Sequence, residues 1–124
     1  MTETIKQTRD KKTYIETWLS DASGDASVTF TPTDIQSLLK VQTVPGEDGD
    51  LTTDLPTGYD IEINDIYGED IMDSDLANCS GTVAKSFHSS PEFISSGALT
   101  IVVSNAGNAK QGIVILTFRK ESRI

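Results

Sequence analysis

Two runs near the carboxyl terminus constrain the fold more than any other part of the chain: Gly97-Ala98-Leu99-Thr100-Ile101-Val102-Val103-Ser104 and Gly112-Ile113-Val114-Ile115-Leu116-Thr117-Phe118. Both are rich in β-branched residues and free of proline. Between them stands Asn105-Ala106-Gly107-Asn108, whose glycine and asparagines reach left-handed backbone conformations at little steric cost. The spacing predicts a long antiparallel hairpin. Strands this apolar on both faces need cover, so a second sheet or neighbouring subunits must pack on them, and the molecule is expected to be all-β.

The rest of the chain carries further strand signals. Thr13–Leu19 is a continuous run of bulky β-formers that stops at Ser20-Asp21-Ala22-Ser23-Gly24-Asp25, and Ala26–Thr31 alternates until Pro32. Together they predict an opening hairpin. Thr33-Asp34-Ile35-Gln36 has capping-box spacing, but Leu39, Val41 and Thr43 alternate with Lys40 and Gln42 up to Pro45-Gly46, so a strand entered through one helical turn is expected. Residues 45 to 58 read as a polar, acidic loop. Tyr59–Asn64 has the cleanest period of two, with Tyr59, Ile61 and Ile63 on one face and acids on the other. The turn Asp65-Ile66-Tyr67-Gly68 follows, then a short strand from Glu69 to Met72, one helical turn from Asp73 to Asn78 capped by Ser74, and a strand within Gly81–His88. Short strands separated by turn signals predict an antiparallel β-sandwich, jelly-roll-like or immunoglobulin-like, over residues 13–120. An extended amino-terminal arm (1–12) and a carboxyl-terminal tail (121–124) flank it.

A chain of 124 residues is one domain with one core. Cys79 is the single cysteine, so no intrachain disulfide forms, which suits a reducing compartment. The first residues lack the apolar stretch of a signal peptide, and no run approaches a membrane span. The formal charge is −9, which argues against a nucleic-acid partner, since such binding draws on a lysine and arginine surface. No membrane partner is expected either.

The charges are also segregated. From Glu47 to Asp75 every charged residue is acidic, beginning with Glu47, Asp48, Asp50 and Asp54. Seven of the ten basic residues lie near the ends: Lys6, Arg9, Lys11 and Lys12, then Arg119, Lys120 and Arg123. Solvated loops and tails account for this in the simplest way. The sharper expectation is self-assembly, in which the basic termini of one copy meet the acidic middle of the next and complementary fields set the register.

Chemistry is sparse. Cys79 and His88 fall short of the four ligands of a structural zinc site, and no orienting third residue makes them a nucleophile and base. Asp48, Asp50, Asp70, Asp73 and Asp75 offer hard oxygens without the EF-hand pattern, and no phosphate loop or nucleophile elbow occurs. We therefore expect no enzyme, no catalytic residues, no metal and no cofactor. The aromatics Tyr14, Trp18, Phe30, Tyr59, Tyr67, Phe87, Phe93 and Phe118 are spread over most strands, which predicts core packing over a sugar-binding platform.

The segment Tyr59-Asp60-Ile61-Glu62-Ile63-Asn64-Asp65-Ile66-Tyr67-Gly68-Glu69-Asp70-Ile71, the following Leu76-Ala77-Asn78, and Leu99-Thr100-Ile101-Val102-Val103-Ser104-Asn105-Ala106-Gly107-Asn108 resemble small virion proteins of tailed bacteriophages, with Thr43-Val44-Pro45-Gly46 as a further anchor. Cys79-Ser80 departs from the arginine that often follows Ala-Asn in those proteins. The resemblance implies a β-rich accessory protein of the particle, assembled in the host cytoplasm, with no catalytic residues to carry over. Its expected role is a homo-oligomeric capsid decoration or cement protein, touching other copies and virion proteins such as the major capsid protein. A neck or tail ring component, or a receptor- or glycan-binding tail domain, is the alternative.

Overall fold

The computed structural model describes residues 2–33, 35–46, 58–81, 83–88 and 97–120. Among them lie eight strands: β1 (Thr2–Gln7), β2 (Lys11–Leu19), β3 (Ala26–Phe30), β4 (Ile35–Pro45), β5 (Asp60–Asn64), β6 (Lys85–His88), β7 (Leu99–Ser104) and β8 (Gln111–Lys120). No described residue is helical. The pairing is nested. β2 runs antiparallel to β8, β3 to β7 and β4 to β6, so the first half of the chain lies along the second half in reverse. Further pairing of β4 with β8 and of β5 with β7 rolls this ribbon into two sheets, β1-β2-β8-β4-β6 and β3-β7-β5. The protein is an antiparallel β-sandwich of a five-stranded and a three-stranded sheet.

Alternation along each strand builds the core between the sheets. From the five-stranded sheet, Tyr14 and Trp18 of β2, Leu38 and Val41 of β4, and Val114, Leu116 and Phe118 of β8 point inward and are buried. Phe30, Leu99, Ile101, Val103, Ile61 and Ile63 meet them from the other sheet. Tyr14 touches both layers, its ring 5.2 Å from that of Phe30 and 5.7 Å, edge-on, from that of Phe118. Trp18 lies 5.7 Å from Tyr59 and covers Gly112, directly opposite it on β8. A side chain at position 112 would run into the indole ring.

Four expectations are corrected. The two carboxyl-terminal runs are not a hairpin, because β7 and β8 belong to different sheets. The link between them packs on the β2–β3 turn: Ala106 is buried and its amide donates to the Gly24 carbonyl at 3.0 Å, while the Ser20 hydroxyl donates to the Gly107 carbonyl and accepts from the Lys110 amide. That docking carries the chain across the sandwich. β2 and β3 likewise fall in different sheets, so the opening hairpin is β1–β2. Consequently the expected arm over residues 1–12 is not free: Thr8 closes a turn in which its amide donates to the Lys11 carbonyl at 2.9 Å, and β1 folds back as the outer strand. Finally, residues 69–78 form turns around an isolated bridge, Asn64 to Asp70, in place of the short strand and helical turn. The Asp70 carboxylate explains this, since it accepts the amides of Ile63, Met72 and Ser74 and bends the chain around itself.

Candidate functional site

The two outward faces of the sandwich carry opposite charge. On the five-stranded sheet the residues between the inward positions point to solvent: Thr4 and Lys6 of β1, Lys11, Thr13, Ile15 and Thr17 of β2, Ile115, Thr117 and Arg119 of β8, and Lys40 and Gln42 of β4. No carboxylate stands among these described residues. Lys6, Lys11 and Arg119 are exposed and Lys40 is half-buried. Lys6, Thr13, Thr117 and Lys40 form one row across four strands, and Lys11 and Arg119 are paired beside it. On the three-stranded sheet the outward residues are Ser27, Thr29, Thr100, Val102, Ser104, Asp60, Glu62 and Asn64. The charges there are all negative, and the turns that follow β5 add Asp65, Glu69, Asp70, Asp73 and Asp75.

These acids are partly used by the fold. Asp60 accepts the Asn78 amide at 2.9 Å and the Asn105 side-chain amide at 2.7 Å. Asp65 accepts the amides of Tyr67 and Glu69 through one oxygen. These donors fix the position of each carboxylate. Among the described residues, no three of His, Cys, Asp and Glu come together in a cluster that could hold a metal ion.

Of the residues expected to carry interactions, Lys6, Lys11 and Arg119 share the basic face, and Arg9 is exposed in the β1–β2 turn. Lys120 ends β8, where its amide donates to the Asp10 carbonyl. Lys12 leaves the set: its parity on β2 is inward, it is 6% exposed, and its ammonium donates to the carbonyl and hydroxyl of Thr33 at 3.0 and 2.9 Å. Glu47, Asp48, Asp50, Asp54 and Arg123 lie outside the described residues. So does Phe93, whereas Tyr14, Trp18, Phe30, Tyr59 and Phe118 are buried and Phe87 half-buried, as core packing requires.

Cys79 is buried, and its thiol donates to the Leu76 carbonyl at 3.0 Å. Burial pushes the thiol up to about 11, so it is a poor nucleophile at neutral pH. Tyr59 is raised as well, again chiefly by burial, with the Thr43 side chain acting weakly in the other direction.

Three residues outside the expected set matter. Lys40 joins the basic face from β4, far in sequence from the terminal bases, because the β4–β8 register sets it opposite Thr117. Glu16 points into the core beside Tyr14 and Trp18, is 1% exposed, and meets no cation at hydrogen-bond distance among the described residues. Burial, reinforced by Glu3 directly across on β1, raises it to about 8. Tyr67, in the turn after β5, is 86% exposed. A period of two over Thr13–Leu19 is the signal that places Glu16 on the face of Tyr14 and Trp18, whereas Tyr67, expected to pack in the core with the other aromatics, is exposed because it stands in a four-residue turn. No sequence signal reveals Lys40, since cross-strand register is not written locally. Comparison with protein-family models, curated proteins and solved structures found no match.

Proposed function

We propose that this chain is a homo-oligomeric structural component of a tailed-bacteriophage virion, a decoration or cement protein on the capsid. The observation that carries the self-assembly part is the separation of charge between the two outward faces, with Lys6, Lys11, Lys40 and Arg119 on one and Asp60, Glu62 and the acidic turns on the other. Opposite fields on opposite faces attract copies head to tail and repel them face to like face. The virion role rests on the resemblance of residues 59–78 and 99–108 to small phage particle proteins. A rigid sandwich with its aromatics inside is suited to holding neighbours in place.

A ring component of the neck or tail is the second reading, favoured by the same polarity. Head-to-tail contacts close into rings when the rotation between copies allows it. The glycan-binding reading has less support, because Tyr67 is the one aromatic among the described residues that is strongly exposed.

Light-scattering mass of the purified chain at low and high ionic strength tests the assembly. At roughly 0.05 M salt, where screening is weak, an oligomer is expected, and at about 1 M salt its mass should fall. A monomer under both conditions contradicts the proposal.

A further inference from the structure

The turn Asp65-Ile66-Tyr67-Gly68 presents two apolar side chains to solvent, Tyr67 at 86% and Ile66 at 57% exposure. An aromatic so exposed on a floppy loop would lose entropy on binding, but this turn is fixed. The Gly68 amide donates to the Asp65 carbonyl at 3.0 Å, the Asp65 amide to the Glu69 carbonyl at 3.0 Å, and the Tyr67 and Glu69 amides to the Asp65 carboxylate at 2.9 and 3.0 Å. Gly68 supplies the positive φ of 79° that the closure requires. Ile66 also lies close to Gly97, where a Cβ would stand only 3.1 Å from its side chain. Rigid aromatics with few rotatable bonds make efficient interface anchors.

The charge around the turn selects the partner. Asp65 and Glu69 flank Tyr67 in the chain, with Glu69 exposed, and the nearby charged residues of β5 and the turns after it are all acidic, so the complementary surface is cationic. The chain itself carries one. On the basic face, Thr13 and Thr117 stand side by side with their hydroxyls 3.5 Å apart, Lys6 and Lys40 flank them in the same row, and His88 of β6 is next beyond Lys40. Three strand spacings separate the two lysines, about 14 Å, which leaves room for one aromatic ring laid on the threonines with an ammonium at each side. Lys11 and Arg119, paired in the next row, add two more exposed cations beside it.

We infer that Tyr67 is the anchor by which one copy grips the next, its ring seated on the Thr13–Thr117 floor between Lys6 and Lys40. This rests on the self-assembly reading above and assigns the residues that make the contact. Each copy offers one knob and receives another, so the assembly is head to tail.

The test uses the full chain in three forms: the natural sequence, Tyr67→Ala, and the double variant Lys40→Glu with Arg119→Glu. Each is followed by sedimentation at low salt and by thermal unfolding. Tyr67→Ala should weaken association by about 30-fold without moving the unfolding midpoint, and Tyr67→Phe should keep most of the affinity. The charge-reversed chain should also fail to associate. Mixed together, the two defective chains should form a one-to-one dimer, because each retains the surface that the other has lost. Unaltered assembly of Tyr67→Ala overturns the anchor while leaving self-assembly standing. Failure of the mixture to pair shows that the two surfaces are not partners, and a natural chain that is monomeric at every salt concentration removes both this inference and the reading beneath it.

Discussion

β1 and β8 flank the same strand, β2, on either side, yet they hold the molecule in different ways. β8 is central, paired along its length with β2 and β4, and Val114, Leu116 and Phe118 are each fully buried. β1 is an edge strand whose side chains from Glu3 to Gln7 are exposed, so backbone pairing with β2 is what attaches it. The contrast teaches that extended structure and contribution to the core are separate properties. A strand buries apolar area only when the opposite sheet reaches over it.

The largest effect should come from the central strand. Leu116→Ala removes a fully buried side chain between Tyr14 and Val41, and should lower unfolding free energy by about 3–5 kcal/mol in a denaturant titration. A loss below about 1 kcal/mol would mean that β8 is no more central than β1.

Glu16 lies where the two regions meet, and its prediction is a pH dependence. Its carboxyl titrates near 8 in the folded protein and near 4.5 when unfolded, so the folded state binds the extra proton between those values. Stability is therefore full below about pH 4.5 and falls as pH rises through that window, with the whole loss present above about 8. Val114, Thr43 and, at the far edge, Lys85 share its row across the sheet, Lys12 lies two inward positions away on β2 with its ammonium held by Thr33, and the inward residues of β3, β5 and β7 are apolar, so Glu3 is the charged group directly opposite it. Glu16→Gln should remove the slope and exceed the natural chain by about 2–4 kcal/mol above pH 8. Parallel stability curves for the two chains from pH 5 to 9 would show that Glu16 is ionised throughout, and would sink this account.

The smallest effect should follow removal of residues 1–7. Cooperative unfolding should survive at a loss of about 1 kcal/mol, because pairing goes while the side chains from Glu3 to Gln7 are exposed, and relief of Glu16 from burial offsets part of it. Collapse of the cooperative transition on calorimetry would make β1 as essential as β8.

Much of the fold was legible because period-two alternation is a local signal. Tyr59–Asn64 and Ala26–Thr31 marked β5 and β3 to within a residue or so, and the turn at Asp65–Gly68 closed as its Asp and Gly positions indicated. Partner choice was not legible. The link 105–110 has the composition of a hairpin loop, and only its docking on Gly24 and Ser20 sends β8 into the other sheet. The candidate site divides the same way. Segregated charge along the chain indicated a polar molecule, but the inward turn of Lys12 and the recruitment of Lys40 depend on strand parity and register.

The amino acids alone determined that this chain makes an all-β body with one apolar core and a strongly uneven charge, because alternation, turn chemistry and ionisation act within a few residues. The tertiary structure decided which strands are neighbours and therefore which charges share a face. Those pairings are set by how two sheets bury each other's apolar sides, and residues far apart in sequence meet only after that burial is complete.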